Sequence, residues 1–152
     1  MQPLQLITVE ETTGSGEPSY KLHLNKNAEK WLRTYKDSLI APISICGKYR
    51  TGKSFLANQL FPEQQGFPIG NSTNSCTKGI WIHPNPTPKK IIRDDEERDL
   101  CVFLLDCEGT QSIDRTSDLD QKLTSLVLLI SSSFIWNSQG AIEEGDVMNL
   151  AA

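Results

Sequence analysis

The apolar runs of this 152-residue chain are short, LVLLI at 126–130 among them. A membrane-spanning helix needs roughly 20 apolar residues, so none is expected. The opening MQPLQLITVEETTG has neither a basic start nor an apolar run, and no secretory leader is expected either. Basic excess is also missing. Fifteen Lys and Arg stand against 19 Asp and Glu, a net charge of −4, which gives no general drive toward nucleic acid or an anionic lipid surface. The four cysteines (Cys46, Cys76, Cys101 and Cys107) form no CxxC pair, and no histidine lies near them at zinc spacing. They read as thiols in a reducing, cytoplasmic setting. Cys46 and Cys101 sit in apolar runs as small core residues, and Cys107 is the candidate for a reactive thiol. No internal repeat is present. With 38% apolar and 22% charged residues, the composition is that of one ordinary globular domain with a single core.

What is present is an alternation of two periodicities. LQLITV (4–9) and YKLHL (20–24) read as strands joined by the turn TGSGEP. Residues 25–39 follow with Ala28, Trp31, Leu32, Tyr35 and Leu39 at helical spacing, Asn25 as N-cap and Pro42 as the stop. PISIC (42–46) suits a buried parallel strand, and KSFLANQLF continues as a helix up to Pro62. Residues 63–79 read as loop. GIWIH (79–83) is a strand, and PNPTPKK, with three prolines at alternate positions, is a stiff turn. KIIR and LCVFLLD are strands around the solvated turn RDDEER (93–98), whose adjacent carboxylates point apart and are no metal site. SDLDQKLTSLVLLIS is a helix capped by Ser117, with Asp118 and Asp120 in its first turn and a buried face of Leu119, Leu123, Leu126, Val127 and Ile130. SFIWN is a further strand, and EEGDVMNLAA begins another helix with no stop signal, so a domain incomplete at its C-terminus is expected. Alternating strands and helices argue an α/β fold, a sheet covered by helices.

The chemistry concentrates in three places. Gly47, Gly52, Lys53 and Ser54 match G-x-x-x-x-G-K-[ST] in full, between an apolar strand and a helix. Backbone N–H groups of such a loop point at an anion, and the helix N-terminus adds to the field. Glycine allows the close approach and the positive φ. Lys53 reaches for β- and γ-phosphates, and the Ser54 hydroxyl for Mg²⁺. The second place is the end of FLLDCEG, where Asp106 and Gly109 form D-x-x-G: a carboxylate for a Mg²⁺ water and an N–H for a γ-phosphate. The third is Thr77, in the polar loop between them, able to complete the Mg²⁺ shell. Loop geometry alone does not separate GTP from ATP.

With these sites placed, GKYRTGKSFLANQL, SCTKGIWIHPNP, FLLDCEGT and LISSSFIWNSQGAI together resemble the guanylate-binding protein family of large, dynamin-related GTPases, from about residue 40 to residue 150. Atlastin-type GTPases are the next most similar: EGT at 108–110 leans toward them, and TKGIW followed by prolines leans back. The resemblance implies a phosphate-loop NTPase of Ras-like large G-domain type, with a mostly parallel central sheet. It places the phosphate loop at 47–54, a first switch at about 70–79 and a second at about 106–118, with residues 1–152 an incomplete G domain. It further implies Arg50 as an internal arginine finger, Ser75 as a residue positioning the attacking water, and Glu108 as support for the water network. The nucleotide would be held by Gly47, Lys48, Tyr49, Arg50, Thr51, Gly52, Lys53, Ser54, Phe55, Asp106 and Gly109, and Mg²⁺ by Ser54 and Thr77. Trp81 and Trp136 read as core. The implied partners are GTP and a second copy meeting through the nucleotide face, with membrane contact only through parts outside this sequence. No N-K-x-D and no T-L-R-D appears, so guanine selectivity rests on the resemblance. A generic phosphate-loop ATPase or kinase, and a non-catalytic fragment serving as an interaction module, stay as alternatives.

Overall fold

The computed structural model describes residues 2–12, 19–48, 51–64, 66–67, 79–107, 117–138 and 140. Strand β1 (Leu4–Thr12) pairs antiparallel with β2 (Ser19–Leu24). Helix α1 (Lys26–Leu32) follows and runs into a 3₁₀ turn at Arg33–Tyr35. Strand β3 (Leu39–Cys46), helix α2 (Lys53–Leu60), β4 (Ile80–Ile82), β5 (Thr87–Arg93), β6 (Glu96–Cys107), α3 (Ser117–Ile130) and β7 (Ser133–Trp136) complete the described elements. The sheet order is β2-β1-β4-β6-β3-β7, with β5 on the N-terminal half of β6.

The α/β class is as expected, but among the described strands parallel pairing is confined to β6-β3-β7, at one end of the strand order. The other described ladders are antiparallel, so the described part of the sheet is mixed rather than mostly parallel. The reason is local. β5 returns directly into β6 through a two-residue turn, and such a connection can only join antiparallel strands. Asp94 and Asp95 form that turn with φ of 55° and 61°, both left-handed, as a hairpin of the I′ kind requires. The expected turn over 93–98 therefore contracts to two residues, because Arg93 faces Glu96 and Ile92 faces Glu97 across the strands. β5 likewise starts inside the proline-rich stretch, at Thr87.

The first helix is shorter than its periodicity predicts. Asn25 caps it as expected, its Oδ1 accepting from the N–H groups of Asn27 (2.9 Å) and Ala28 (3.4 Å). Helical hydrogen bonding then ends at the 3₁₀ turn, and Leu39 opens β3 instead of closing a helix. Pro42 lies within β3 rather than stopping α1, one residue ahead of the first β3–β7 pair, Ile43 with Ser133. Its carbonyl accepts from the Ser132 N–H at 2.8 Å. The spacing that suggested a longer helix is reused: Trp31, Tyr35 and Phe103 pack edge to face with centroids 5.0–5.4 Å apart.

Strand alternation sorts β6 between two cores. Phe103, Leu105 and Cys107 join the cluster with Ala28 of α1 and Leu119, Leu123 and Val127 of α3. Leu104 joins Ile45, Ala57 and Phe67 on the opposite, α2 side. Burying each such side chain contributes about 1.5–3 kcal/mol. Ile130, expected on the buried face of α3, is 36% exposed. The cap role given to Ser117 and the last helix, EEGDVMNLAA, lie outside the described side chains and residues. Among the described residues no helix is long and apolar enough to cross a membrane.

Candidate functional site

β3 delivers the chain to the C-terminal edge of the parallel strands, the edge at which open α/β sheets place ligands. The loop there begins at Gly47, with φ 141°. A Cβ on Gly47 would stand 2.0 Å from the Asn137 carbonyl oxygen, so sterics alone require glycine. The loop ends at Gly52 (φ 82°, ψ 27°), the N-cap of α2, where a Cβ would meet nothing within 4 Å. Here it is the left-handed backbone that favours glycine. The Gly52 carbonyl accepts from the Leu56 N–H at 2.8 Å, which starts the helix. The first N–H groups of a helix have no partner within the helix itself, which suits them to an anion.

Lys53, the first residue of α2, is only 7% exposed. Its Nζ donates to the Lys48 carbonyl at 2.8 Å, and Thr51 Oγ1 donates to that same oxygen at 2.9 Å. A cation is thus folded into the loop's own backbone. From the neighbouring strand, Asp106 faces α2 and is fully buried. Ser54 Oγ donates to Asp106 Oδ2 at 2.6 Å. Oδ1 is buried and has no hydrogen-bond partner among the described residues. Burial pushes the Asp106 carboxyl up from 3.8 to about 6, against the opposing pull of the Ser54 hydrogen bond and the Lys53 charge.

An unpartnered carboxylate oxygen inside a fold is a costly feature that a ligand relieves. The Ser54 hydroxyl and the Asp106 carboxylate with its orphaned oxygen are hard donors, which fit Mg²⁺ with substrate and water oxygens in the rest of its shell. Among the described residues, no cluster of three or more His, Cys, Asp or Glu makes a closed metal cage.

Gly47, Lys48, Thr51, Gly52, Lys53, Ser54 and Asp106 thus lie together around this loop. Phe55 belongs to the same turn, but its side chain is 58% exposed, so only its backbone N–H is placed to serve the loop. Tyr49, Arg50, Ser75, Thr77, Glu108 and Gly109 lie outside the described residues, as does most of the first switch. Cys107 is 2% exposed and lies against the 1% exposed Cys46, a buried pair rather than a reactive thiol. The hydrogen bond with Cys107, followed by burial, pushes the Cys46 thiol up, which disfavours its thiolate. Cys101, expected in the core, is half-buried. Trp81 and Trp136 pack against the two cores as expected, although neither buried indole N–H has a hydrogen-bond partner among the described residues.

Sequence reasoning overlooked Asn137, the residue after β7. Its side-chain amide donates to the Thr51 carbonyl at 2.8 Å and to Thr51 Oγ1 at 3.3 Å. The available signal was its place directly after a parallel strand, at the sheet edge that carries the loop.

A strand, a glycine loop with a buried lysine, a helix, and an aspartate on the adjacent strand define a phosphate-loop NTPase fold of the large G-domain type. The family model described as "Guanylate-binding protein, N-terminal domain" matches residues 19–152, and the chain belongs to the guanylate-binding protein family. It is 36% identical over 125 residues to guanylate-binding protein 2 of Homo sapiens, covering 82% of this chain and 20% of that protein. It is 34% identical over 140 residues to guanylate-binding protein 1 of Homo sapiens (91% and 21%), and 33% identical over 133 residues to guanylate-binding protein 5 of Mus musculus (87% and 21%). The chain thus spans about a fifth of the length of these curated relatives.

Proposed function

We propose that this chain carries the phosphate-binding part of a guanylate-binding-protein-like GTPase, binding GTP with Mg²⁺ at loop 47–54 and contributing to its hydrolysis. The observation that carries the reading is the Ser54–Asp106 contact of 2.6 Å, with the second carboxylate oxygen buried and unpartnered beside a buried loop lysine.

In this reading the loop N–H groups from Gly47 to Phe55 wrap the phosphates, and Lys53 leaves the Lys48 carbonyl for the β- and γ-phosphates. Ser54 and Thr77 supply hydroxyls to Mg²⁺, and Asp106 holds one of its waters. The ion, when bound, neutralises charge on the phosphate oxygens. Ser75 and Glu108 orient the attacking water, the Gly109 N–H meets the γ-phosphate, and Arg50 stabilises charge in the transition state. An arginine in that role is worth about 10³–10⁵ in rate in GTPases generally. Two copies would associate through the nucleotide face, and the cytoplasm is the compartment in which GTP meets free thiols.

The test is binding of fluorescent GTP and ATP analogues with Mg²⁺ to the parent and to Lys53→Ala. The expected result is a preference for GTP and loss of binding in the variant. Equal affinity for ATP would replace the reading with a generic phosphate-loop site. No binding of either would leave an interaction module.

A further inference from the structure

Asn137 touches both ends of the phosphate loop. At the entry its backbone N–H donates to the Cys46 carbonyl at 2.7 Å, extending the β3–β7 ladder one step past the Cys46–Trp136 pair. Its own carbonyl oxygen lies so close to Gly47 that no Cβ fits between them. At the exit its side-chain Nδ2 donates to the Thr51 carbonyl and reaches the Thr51 hydroxyl. That hydroxyl in turn donates to Lys48 O, so the two halves of the loop are tied to each other and to β7.

We propose that Asn137 is a positioning residue for the phosphate loop, holding the peptide between Thr51 and Gly52 in the orientation that presents its N–H to phosphate. A trans peptide is planar, with its C=O and N–H on opposite sides. The Asn137 amide holds the Thr51 carbonyl on the β7 side, so the Gly52 N–H faces away from β7. Gly52 is also the left-handed cap that starts α2, and a rotation of that peptide would re-aim the first N–H groups of the helix as well. A loop pre-set in this way binds an anion without first ordering itself. The proposal deepens the GTP-site reading and rests on it for its ligand.

The experiment uses the full chain with Asn137→Ala, Asn137→Asp and Asn137→Gln, and two readouts. The first is the Kd of a fluorescent GTP analogue with Mg²⁺, at a temperature where circular dichroism shows every variant folded. Two lost hydrogen bonds correspond to a Kd raised about tenfold or more in Asn137→Ala. Asn137→Asp keeps the shape but has no N–H to give, so it is expected to bind as poorly as Asn137→Ala. Asn137→Gln keeps the donor and is expected to recover at least part of the affinity. A residue that only fills space would show the opposite order, with Asp nearest the parent.

The second readout needs no nucleotide. Amide exchange of the peptide covering 47–56 should quicken in Asn137→Ala and Asn137→Asp, with α3 unchanged. If the parent binds no nucleotide, the GTP reading fails and exchange alone decides. Unchanged exchange in the loop overturns the proposal, as does a parent that binds GTP while both Ala and Asp variants bind equally well. Should Asn137→Ala not fold, the Asp and Gln pair carries the same comparison.

Discussion

Asp106→Asn keeps the shape of the side chain and an acceptor for the Ser54 hydroxyl, removes the charge, and sets an amide NH2 where the unpartnered oxygen stood. In the parent, burial lifts this carboxyl from 3.8 to about 6. That difference of about two pH units corresponds to about 3 kcal/mol between the two protonation states. The sign follows from which state holds the proton. Below pH 3.8 folded and unfolded chains are both protonated at this position, and the ionisation penalty is absent. Between 3.8 and about 6 the folded chain binds more protons than the unfolded one, so stability falls as pH rises. Above 6 the penalty is complete and flat. Asparagine carries none of it. Asp106→Asn is therefore expected to be more stable than the parent at pH 7.5, by up to about 3 kcal/mol, with the gap closing toward pH 4. For a chain of this length that is a rise of roughly 6–12 °C in melting temperature. Urea unfolding of both proteins at several pH values from 4 to 7.5 measures it. A variant less stable than the parent at pH 7.5, or a gap that does not change with pH, would refute the reasoning. The same substitution takes a carboxylate from the candidate Mg²⁺ shell, so affinity for Mg²⁺ and the GTP analogue should fall by tenfold or more while stability rises. A buried charge kept against stability is what a functional site looks like in free energy.

Three further outcomes are expected. Gly47→Ala forces a methyl into the Asn137 carbonyl and should destabilise the fold by about 2–4 kcal/mol, whereas Gly52→Ala meets open space and should lose only about 1–2 kcal/mol to its left-handed backbone; paired urea titrations would rank them. Asn25→Ala removes the α1 cap and should lower stability by about 1 kcal/mol, with faster amide exchange confined to the first turn of α1. Asp95→Gly, at the second positive-φ position of the β5–β6 turn, should raise the melting temperature by an amount equivalent to about 0.5–1 kcal/mol, and a fall would contradict the I′ geometry.

Much of the fold was written locally. The N-cap at Asn25, the apolar strand feeding Gly47, the helix that Gly52 starts and the buried stripe Leu119, Leu123 and Val127 all depend on residues close in sequence, and each is legible from period and propensity. So is the association of Gly47, Lys53 and Ser54, because seven residues of loop cannot place them far apart. Strand direction was legible for β3, whose apolar run reads as a parallel strand, but not for β4, β5 and β6, where only the two-residue turn at Asp94–Asp95 and the tertiary packing decide it. The end of α1 was not legible either, because Tyr35 at helical spacing also serves an aromatic cluster with Phe103, which lies far along the chain. The sharpest case is the site itself. Ser54 meets Asp106 across 52 residues, and Asn137 reaches Thr51 across 86. A motif suggested the first contact, but no motif marked the second, whose one signal was a place directly after a strand. Motifs record what a backbone loop needs from its own residues. What holds that loop in shape comes from whichever strand the tertiary fold lays beside it.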